Sequence, residues 1–393
     1  MRRGGNAIGV QIRPATQADL DQANQLVAAA FPEAVLDHED ALQRLAEEPG
    51  FRPQEAWVAV DGSRVLGHVA TLHTTMALEG QWVPALHLGT VCVHPSRQGR
   101  GLGSHMLRTV CAQAAGDAEL AILTPAHNER LYSFYQRLGY VHVLQQTPRL
   151  LIRTGDLPVA PPSARPVRDD DVGALAEVHR ATYVAINGSF GRPIDAWRHR
   201  VAGHARLWAF HQATFGVAGD PEVRAYAART VDDVDLEVVE WAAAPGCSDE
   251  ALAALAAVCH PHPQSQAVVH VGPHHPLRHL LHGAEQEELP PDEEWAMLLV
   301  LKPAAMANRV REWVCGRVPP GWGLKVGSGK VEAAGPDGRL MCELGAAVAL
   351  LYNGASAGRL EAEGALHLHG NVEALLAACF PQRYASPSPL DTI

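Results

Sequence analysis

The sequence predicts an α/β (α+β) protein in three parts: two similar folds in tandem, each built on a mixed, mostly antiparallel sheet, and a small α+β domain after them. Three observations support that class. An apolar, β-type run from Leu88 to Val93 feeds a glycine-rich turn that opens a helix. Arg13-Pro14 followed by Asp19-Leu20 returns as Arg165-Pro166 followed by Asp171-Val172, an offset of 152 residues (165 − 13), so one fold is followed by a copy of itself. The stretch Thr154-Gly155-Asp156-Leu157-Pro158-Val159-Ala160-Pro161-Pro162-Ser163 between the copies is too rich in proline and glycine to be an element, and the texture changes again near Pro303. The expected divisions are residues 1–153, a linker 154–163, a second and degenerate copy 164–302, and a last domain 303–393.

The elements follow in chain order. Residues 11–14 read as a strand, and Thr16 is placed to cap a helix in which Leu20, Ala23, Val27 and Phe31 recur at helical spacing. An acidic helix over 37–48 comes next. Trp57-Val58-Ala59-Val60, the turn Asp61-Gly62-Ser63 and the run 65–76 predict a hairpin. A strand over 86–93 leads through the glycine turn to a helix ending near Ala115. A short buried strand at 120–123, a helix at 129–138 and a strand at 140–152 then close the sheet. In the second copy Val172, Leu175, Val178 and Ala181 repeat the first helix, with strands expected at 207–210, 214–217, 223–228 and 234–243. The last part reads as a helix at 304–314, short strands near 324–326 and 340–342, and an apolar run from Leu344 onward.

Composition limits the function classes. At 393 residues the chain exceeds a single core, and its 47% hydrophobic and 19% charged residues are ordinary for a soluble globular protein. No apolar run approaches a membrane span, and Met1-Arg2-Arg3-Gly4-Gly5 lacks the apolar stretch of a signal peptide, so a cytoplasmic protein without membrane partners is expected. Seven cysteines with no Cys-x-x-Cys pair fit a reducing compartment rather than a disulfide framework. A net charge of -11 argues against nucleic acid as a partner and leaves room for a cationic one.

Chemistry concentrates in Gln98-Gly99-Arg100-Gly101-Leu102-Gly103-Ser104. Glycines there permit backbone conformations and close approaches that a side chain would block, so N–H groups at a helix start can hold a pyrophosphate. A glycine triplet alone also suits a flexible turn or a dinucleotide fingerprint. The second needs its first glycine directly after the strand, whereas His94-Pro95-Ser96-Arg97-Gln98 intervenes, and a Walker loop needs Gly-Lys-Ser/Thr, which is absent. In the second copy the corresponding turn is Pro245-Gly246-Cys247-Ser248-Asp249-Glu250, where acids would stabilise a helix start but repel a pyrophosphate, so that half is expected to be silent. Cys259, His260, His262, His270, His274, His275, His279 and His282 match no known metal spacing among the 21 histidines, and no metal is expected.

Gln98-Gly99-Arg100-Gly101-Leu102-Gly103 after a Val-x-Val-x-Pro strand end resembles motif A of the GNAT superfamily of N-acetyltransferases. Asn128-Glu129-Arg130-Leu131-Tyr132-Ser133-Phe134-Tyr135-Gln136-Arg137-Leu138-Gly139-Tyr140 is similar to the family's second signature, with Leu131 in place of a small residue. Leu344-Gly345-Ala346-Ala347-Val348-Ala349-Leu350-Leu351-Tyr352 and the residues after it resemble a sterol-carrier-protein fold, and two acetyltransferase-like halves plus such a domain is the layout of the Eis (enhanced intracellular survival) type. The resemblance implies acetyl-CoA as co-substrate and no metal, bound through Gln98 to Ser104, the backbone of Val91, Cys92 and Val93, and Asn128. It also implies an amine acceptor and a homo-oligomer.

Acetyl transfer to an amine needs the thioester carbonyl polarised, the amine deprotonated and the departing thiolate protonated. In the family's manner a backbone N–H of the Thr90–Val93 run polarises the carbonyl and Tyr135 protonates the thiolate. For the base there are two candidates. His87 stands where the family often carries a glutamate, and a histidine's ordinary pKa of about 6.5 suits the task. The other is the C-terminal carboxylate, here on Ile393 rather than on an aromatic residue. Cys92 reads as a backbone contributor rather than a nucleophile. Helices bordering the acceptor pocket would bring Glu33, Asp37, Glu39 and Asp40 to a cationic substrate. The competing classes are an acetyl-CoA sensor without turnover and a lipid carrier built on residues 303–393.

Overall fold

A computed structural model describes residues 9–31, 56–114, 116–126, 128–161, 163–201, 213–219, 222–230, 236–261, 265–284, 286–383 and 385. In the first half β1 (Val10–Pro14), α1 (Leu20–Ala30), β2 (Ala56–Asp61), β3 (Arg64–Leu78) and β4 (Gln81–Val93) are followed by α2 (Leu102–Ala114), β5 (Leu120–Leu123), α3 (Glu129–Gln136) and β6 (Val141–Arg153). The second half runs β7 (Arg165–Pro166), α4 (Val172–Tyr183), β8 (Phe190–Gly191), α5 (Ile194–Val201), β9 (Ala213–Ala218), β10 (Ala225–Thr230), β11 (Glu237–Ala243), α6 (Ser248–Cys259), β12 (Gln266–Val269) and β13 (Gln286–Val300). The last part contains α7 (Pro303–Cys315), β14 (Gly323–Val326), β15 (Lys330–Ala334), β16 (Gly338–Glu343), α8 (Leu344–Tyr352), α9 (Ala357–Ala362), β17 (Leu366–Gly370) and α10 (Glu373–Cys379). Among the described residues no helix is long and apolar enough to cross a membrane.

The duplication read from sequence has a structural counterpart. Arg13 Nη1 and Nη2 reach the two carboxylate oxygens of Asp19 at 2.7 and 3.0 Å, and Arg165 reaches those of Asp171 at 2.7 and 2.8 Å. Each aspartate also accepts a backbone N–H at the start of the following helix, from Thr16 at 2.8 Å and Arg168 at 2.7 Å. The pair thus locks strand end to helix start in both copies. Each half also sets one parallel pair, β4 with β5 and β11 with β12, among antiparallel neighbours.

The sheet does not close at β6. Its order is β1-β2-β3-β4-β5-β13-β6-β12-β11-β10-β9-β7, with β8 paired to β3, so both halves share one sheet. β13 enters between β5 and β6, pairing Met297 with Leu123 on one side and with His142 on the other. Nothing local in residues 286–300 announces a partner so far away in sequence, which is why this strand was not expected. β4 starts earlier than expected, at Gln81, because Glu79 (φ 52°) and Gly80 (φ 74°) make a two-residue hairpin loop of the kind with both central φ values positive. Pro84 lies within this strand, opposite Thr75 of β3. The expected acidic helix at 37–48 and strand at 207–210 lie outside the described residues.

Helices cover both faces of the first half. α2 and α3 bury Leu102, Met106, Leu107, Val110, Tyr132 and Tyr135 against Leu86, Leu88, Ala121, Leu123 and Met297. On the opposite face α1 covers Val58, Val60, Ala70 and Cys92. Beside it, α8 packs on Leu120, Ile122, Val141 and Val143. Seven further residues of α8 besides Leu344 are buried, so its unbroken apolar run reflects a helix enclosed on all sides. Polar ties fix the three parts together. Arg309 on α7 binds both carboxylate oxygens of Glu119 at 2.7 and 2.9 Å, and Asn187 accepts from the Glu79 N–H at 2.9 Å while donating to the Leu351 carbonyl at 2.8 Å.

The guanidinium groups of Arg13 and Arg165 hold the carboxyl groups of Asp19 and Asp171 below the usual range. A carboxylate depressed in the folded state contributes stability above its unfolded pKa of about 4, and that contribution is lost as the pH falls below it. The variants Asp19→Asn and Asp171→Asn are expected to lose about 1–3 kcal/mol each at neutral pH. Their urea midpoints should also vary less than the parent's below about pH 4, because the titrating groups are gone.

Candidate functional site

β4 leaves its neighbour halfway along. Ala85, Leu86 and His87 pair with Leu120, Ala121 and Ile122 of β5, and the pairing ends there, while β4 runs on to Val93. Against β3 the register changes in the same stretch: Ala70 faces Gly89, yet His68 faces Cys92, so Thr90 and Val91 together oppose Val69. This is a β-bulge. Thr90 takes φ +44°, a left-handed conformation that is unusual for a β-branched residue.

The bulge decides which backbone groups point into the gap. The N–H of His94 donates to the Leu66 carbonyl at 2.9 Å, toward β3. By the period of two along a strand, the N–H groups of Val93 and Val91 point the other way, to the side that β5 has left. Without the extra residue Val91 would face β3. The carbonyl of Val93 is taken by the Gln98 side chain, whose Nε2 donates to it at 3.0 Å.

The chain then turns through Pro95–Arg97 and the glycines into α2. Gly99 (φ +71°) and Gly101 (φ +83°) need the left-handed region, and a Cβ at either would meet nothing, so the demand is on the backbone rather than on space. Gly103 differs. It lies inside α2, and a Cβ there would touch Phe134 at 3.4 Å and Val93 at 3.5 Å, so it serves close packing of the helix start. Gln98, Gly99, Arg100 and Gly101 are exposed and Leu102 is buried, which anchors the helix while leaving the turn open. The Arg97 guanidinium is tied to Asp61 at 2.7 Å, and His94 accepts from the Ser96 N–H at 3.2 Å. The first N–H groups of α2, those of Leu102, Gly103 and Ser104, precede the first intrahelical bond from His105 to Gly101, so they have no partner within the helix.

Tyr135 and His87 lie on opposite faces of the sheet. Tyr135 is buried on the face covered by α2 and α3, edge-on to Phe134 at 5.0 Å and Tyr140 at 5.6 Å. Burial, with the Cys92 thiol nearby, raises its hydroxyl pKa, so the phenol stays protonated. Burial likewise pushes the Cys92 thiol up to about 12, which removes it as a thiolate nucleophile near neutral pH. His87 alternates with Leu86 and Leu88 and so faces the other side, stacked on Phe190 of the second half at 5.0 Å. Burial lowers it to about 4 rather than the 6.5 expected of it. Asn128 caps α3 by accepting the Arg130 N–H at 2.9 Å. Ile393, Glu33, Asp37, Glu39 and Asp40 lie outside the described residues.

Two residues at the gap were not singled out from sequence. His68, wholly buried on β3, places Nδ1 3.2 Å from both the carbonyl and the hydroxyl of Thr90. Phe190 comes from the second half. Neither carries a local signal, since one is a histidine in an apolar strand and the other an aromatic far away in sequence.

The corresponding strand of the second half, β11, likewise runs on to Ala243 after its pairing with β12 ends at Val238, and it carries an extra residue, Val239, against β10. Trp241 is fully buried, its indole N–H donating to the Ala251 carbonyl at 2.7 Å, and His275 stacks on it. Glu240 is buried against Arg192 and accepts from the Tyr226 hydroxyl at 3.0 Å. Gly246 (φ +80°) makes the turn into α6, whose first turn carries Asp249 and Glu250. Among the histidines, His270 pairs with Glu237 at 2.6 Å, and no group of three or more possible metal ligands occurs among the described residues.

Comparison with known proteins gives a family for the first half. Residues 11–143 match the family model of the acetyltransferase (GNAT) domain. No curated protein matches the chain in sequence. In fold it is similar to a GCN5-related N-acetyltransferase from Kribbella flavida, with 19% identity, coverage of 98% of both chains and a TM-score of 0.70. It is similar as well to Eis1 from Mycobacterium abscessus, with 15% identity, coverage of 98% of this chain and 100% of that one, and a TM-score of 0.64. A GCN5-related N-acetyltransferase from Anabaena variabilis ATCC 29413 has 14% identity, coverage of 97% and 99%, and a TM-score of 0.65.

The environment of His87 has a direct check. Its ring should remain neutral near pH 5.5, where an ordinary histidine is mostly protonated, as read from its imidazole carbon and nitrogen shifts. Phe190→Ala admits water beside it and should move the titration upward toward the ordinary value.

Proposed function

We propose, from the premise that residues 11–143 are an acetyltransferase domain of the GNAT family, that the protein transfers acetyl directly from acetyl-CoA to a primary amine. The observation that carries this reading is the gap itself. A strand whose Val91 and Val93 N–H groups face the side that β5 has left runs straight into an exposed helix start, with a protonated tyrosine buried in the same core. A pyrophosphate fits the N–H groups of Leu102, Gly103 and Ser104, with Gln98, Gly99, Arg100 and Gly101 forming the turn below it. An extended pantetheine arm can add to β4 at Val91, Cys92 and Val93 in the manner of a further strand.

The chemistry balances with these groups. The amine nitrogen attacks the thioester carbon, whose oxygen draws on the Val91 N–H as negative charge develops. The C–S bond then breaks, the sulfur takes its proton from Tyr135, and the amine's surplus proton leaves to a base or to water. Tyr135 regains a proton from solvent, so the products are an amide and free coenzyme A. His87, neutral and on the acceptor side, is the proposed base, with the carboxylate of Ile393 as the other candidate. With a depressed pKa, any acidic limb that His87 gives to the pH–rate profile falls near pH 4. The alternative is a protein that senses acetyl-CoA without turnover.

Turnover separates the two readings. Free-thiol release from acetyl-CoA should depend on an added amine when small amines, polyamines, aminoglycoside-like amines and lysine peptides are tried in turn. Binding of acetyl-CoA without release for any class would favour the sensor. Tyr135→Phe is expected to keep acetyl-CoA affinity and lower kcat by about 10²–10⁴, because the ring still packs while the donor is gone. His87→Gln should lower turnover as well.

The two turns offer a matched pair for the binding site. Gly101 and Gly246 share a positive φ and open surroundings, so valine imposes a similar backbone strain of about 1–3 kcal/mol on each. By calorimetry, Gly101→Val should weaken acetyl-CoA binding at least tenfold and Gly246→Val should leave it unchanged.

A further inference from the structure

We propose that His68 is a positioning residue for the acetyl-transfer site, holding the β4 bulge in the shape that turns the Val91 N–H toward the thioester carbonyl. The inference rests on the acetyl-transfer reading above and adds a residue to it. Thr90 sits at φ +44°. A β-branched side chain resists that region, so something besides the strand must hold the residue there.

His68 is placed to do so. Its Nδ1 lies 3.2 Å from the Thr90 carbonyl oxygen and 3.2 Å from the Thr90 hydroxyl. Burial lowers the imidazole to about 4, so the ring is neutral near neutral pH and carries one proton. A carbonyl can only accept, so that proton is on Nδ1 when the bond to the Thr90 carbonyl is made, whereas in the other tautomer Nδ1 accepts from the Thr90 hydroxyl and still ties the same residue. With the proton on Nδ1, Nε2 is the bare acceptor, and it is buried with no hydrogen-bond partner among the described residues. An unmet acceptor is tolerated better than an unmet N–H, which favours the same tautomer. His68 also faces Cys92 across the ladder, on the far side of the bulge from Gly89. The ring therefore ties the extra residue back to β3 at the place where β4 has lost β5.

The effect on chemistry follows from parity. If the bulge relaxes, Thr90 returns to an extended conformation and the strand beyond it slips by one residue, which turns the Val91 N–H back toward β3. Groups that hold the pyrophosphate lie beyond the slip and are anchored by α2. Loss of His68 should accordingly spare coenzyme A binding and impair recognition of the acetyl group.

The test uses the full chain with His68→Leu, His68→Gln and the double variant His68→Leu/Thr90→Gly. His68→Leu is expected to bind coenzyme A within about threefold of the parent by calorimetry, to lose the parent's preference for acetyl-CoA over coenzyme A, and to lose at least tenfold in kcat. Glutamine, whose amide can donate to the Thr90 carbonyl, should recover most of that loss. Glycine at position 90 adopts positive φ without strain, so the double variant should be more active than His68→Leu alone. Equal kcat in His68→Leu and the parent would overturn the proposal, as would folded Gln and Gly variants that recover nothing.

Hydrogen exchange over residues 88–93 supplies an arm that does not need activity. Exchange there should quicken in His68→Leu and slow again in the glutamine variant. If the parent itself neither binds acetyl-CoA nor releases thiol, the acetyl-transfer reading has failed, and exchange unchanged by His68→Leu would separately remove His68 from the bulge. Should His68→Leu not fold, the glutamine variant carries the same comparison, with parent-like kcat and exchange expected and a tenfold loss in kcat with faster exchange counting against it.

Discussion

A strand in the interior of a sheet can satisfy its backbone on both sides only while both neighbours keep pace with it. β4 loses β5 after His87 and gains a residue against β3 at Thr90, so a run of peptide groups is left facing a gap in the middle of a sheet. Buried peptide groups without partners are costly, and a fold keeps them where something else is to bind. The glycine turn, the start of α2 and the helix that carries Tyr135 are all arranged around that gap. Its floor is set by Leu86 and Leu88 on one face and by His87 with Phe190 on the other.

The two halves share a local code and differ in what they enclose. Arg13 with Asp19 and Arg165 with Asp171 fix the same strand-to-helix corner by the same bidentate geometry. Beyond that corner the middle strand of each half gains a residue, β4 at Thr90 and β11 at Val239, and outruns its parallel neighbour. What differs is the lining: β11 carries Trp241 stacked with His275 and the buried pair of Arg192 and Glu240. The Tyr226 hydroxyl donates to Glu240, which helps meet the hydrogen-bonding needs that a buried ion pair brings with it. The second half also contributes to the first, through Phe190 against His87 and through β13 between β5 and β6.

The last part acts on the site by buttressing the sheet. α8 lies against Leu120 and Ile122 of β5, the strand that parts from β4, and against Val141 and Val143 of β6. Arg309 holds Glu119, the residue just before β5, and Arg359 on α9 stacks over Tyr132 and Trp295, so the helix bearing Tyr135 is braced from this side as well. The position of β5, and with it the width of the gap, therefore depends on residues from all three parts of the chain.

The sequence by itself determined the elements whose reasons are local. Gly99 and Gly101 had to be glycine because the turn needs positive φ, Asn128 had to precede α3 because it caps it, and the Arg-Pro and Asp pairs six residues apart marked both copies of one corner. The GNAT resemblance was legible on the same residues. Tertiary structure alone decided what depends on partners distant in the chain. The insertion of β13, the bulge at Thr90 with His68 behind it, and the lowering of His87 to about 4 arise from pairing and burial between segments far apart. Register and desolvation are properties of what a residue faces, and a histidine in an apolar strand reads the same in sequence whether it meets water, an aromatic ring or a strained carbonyl.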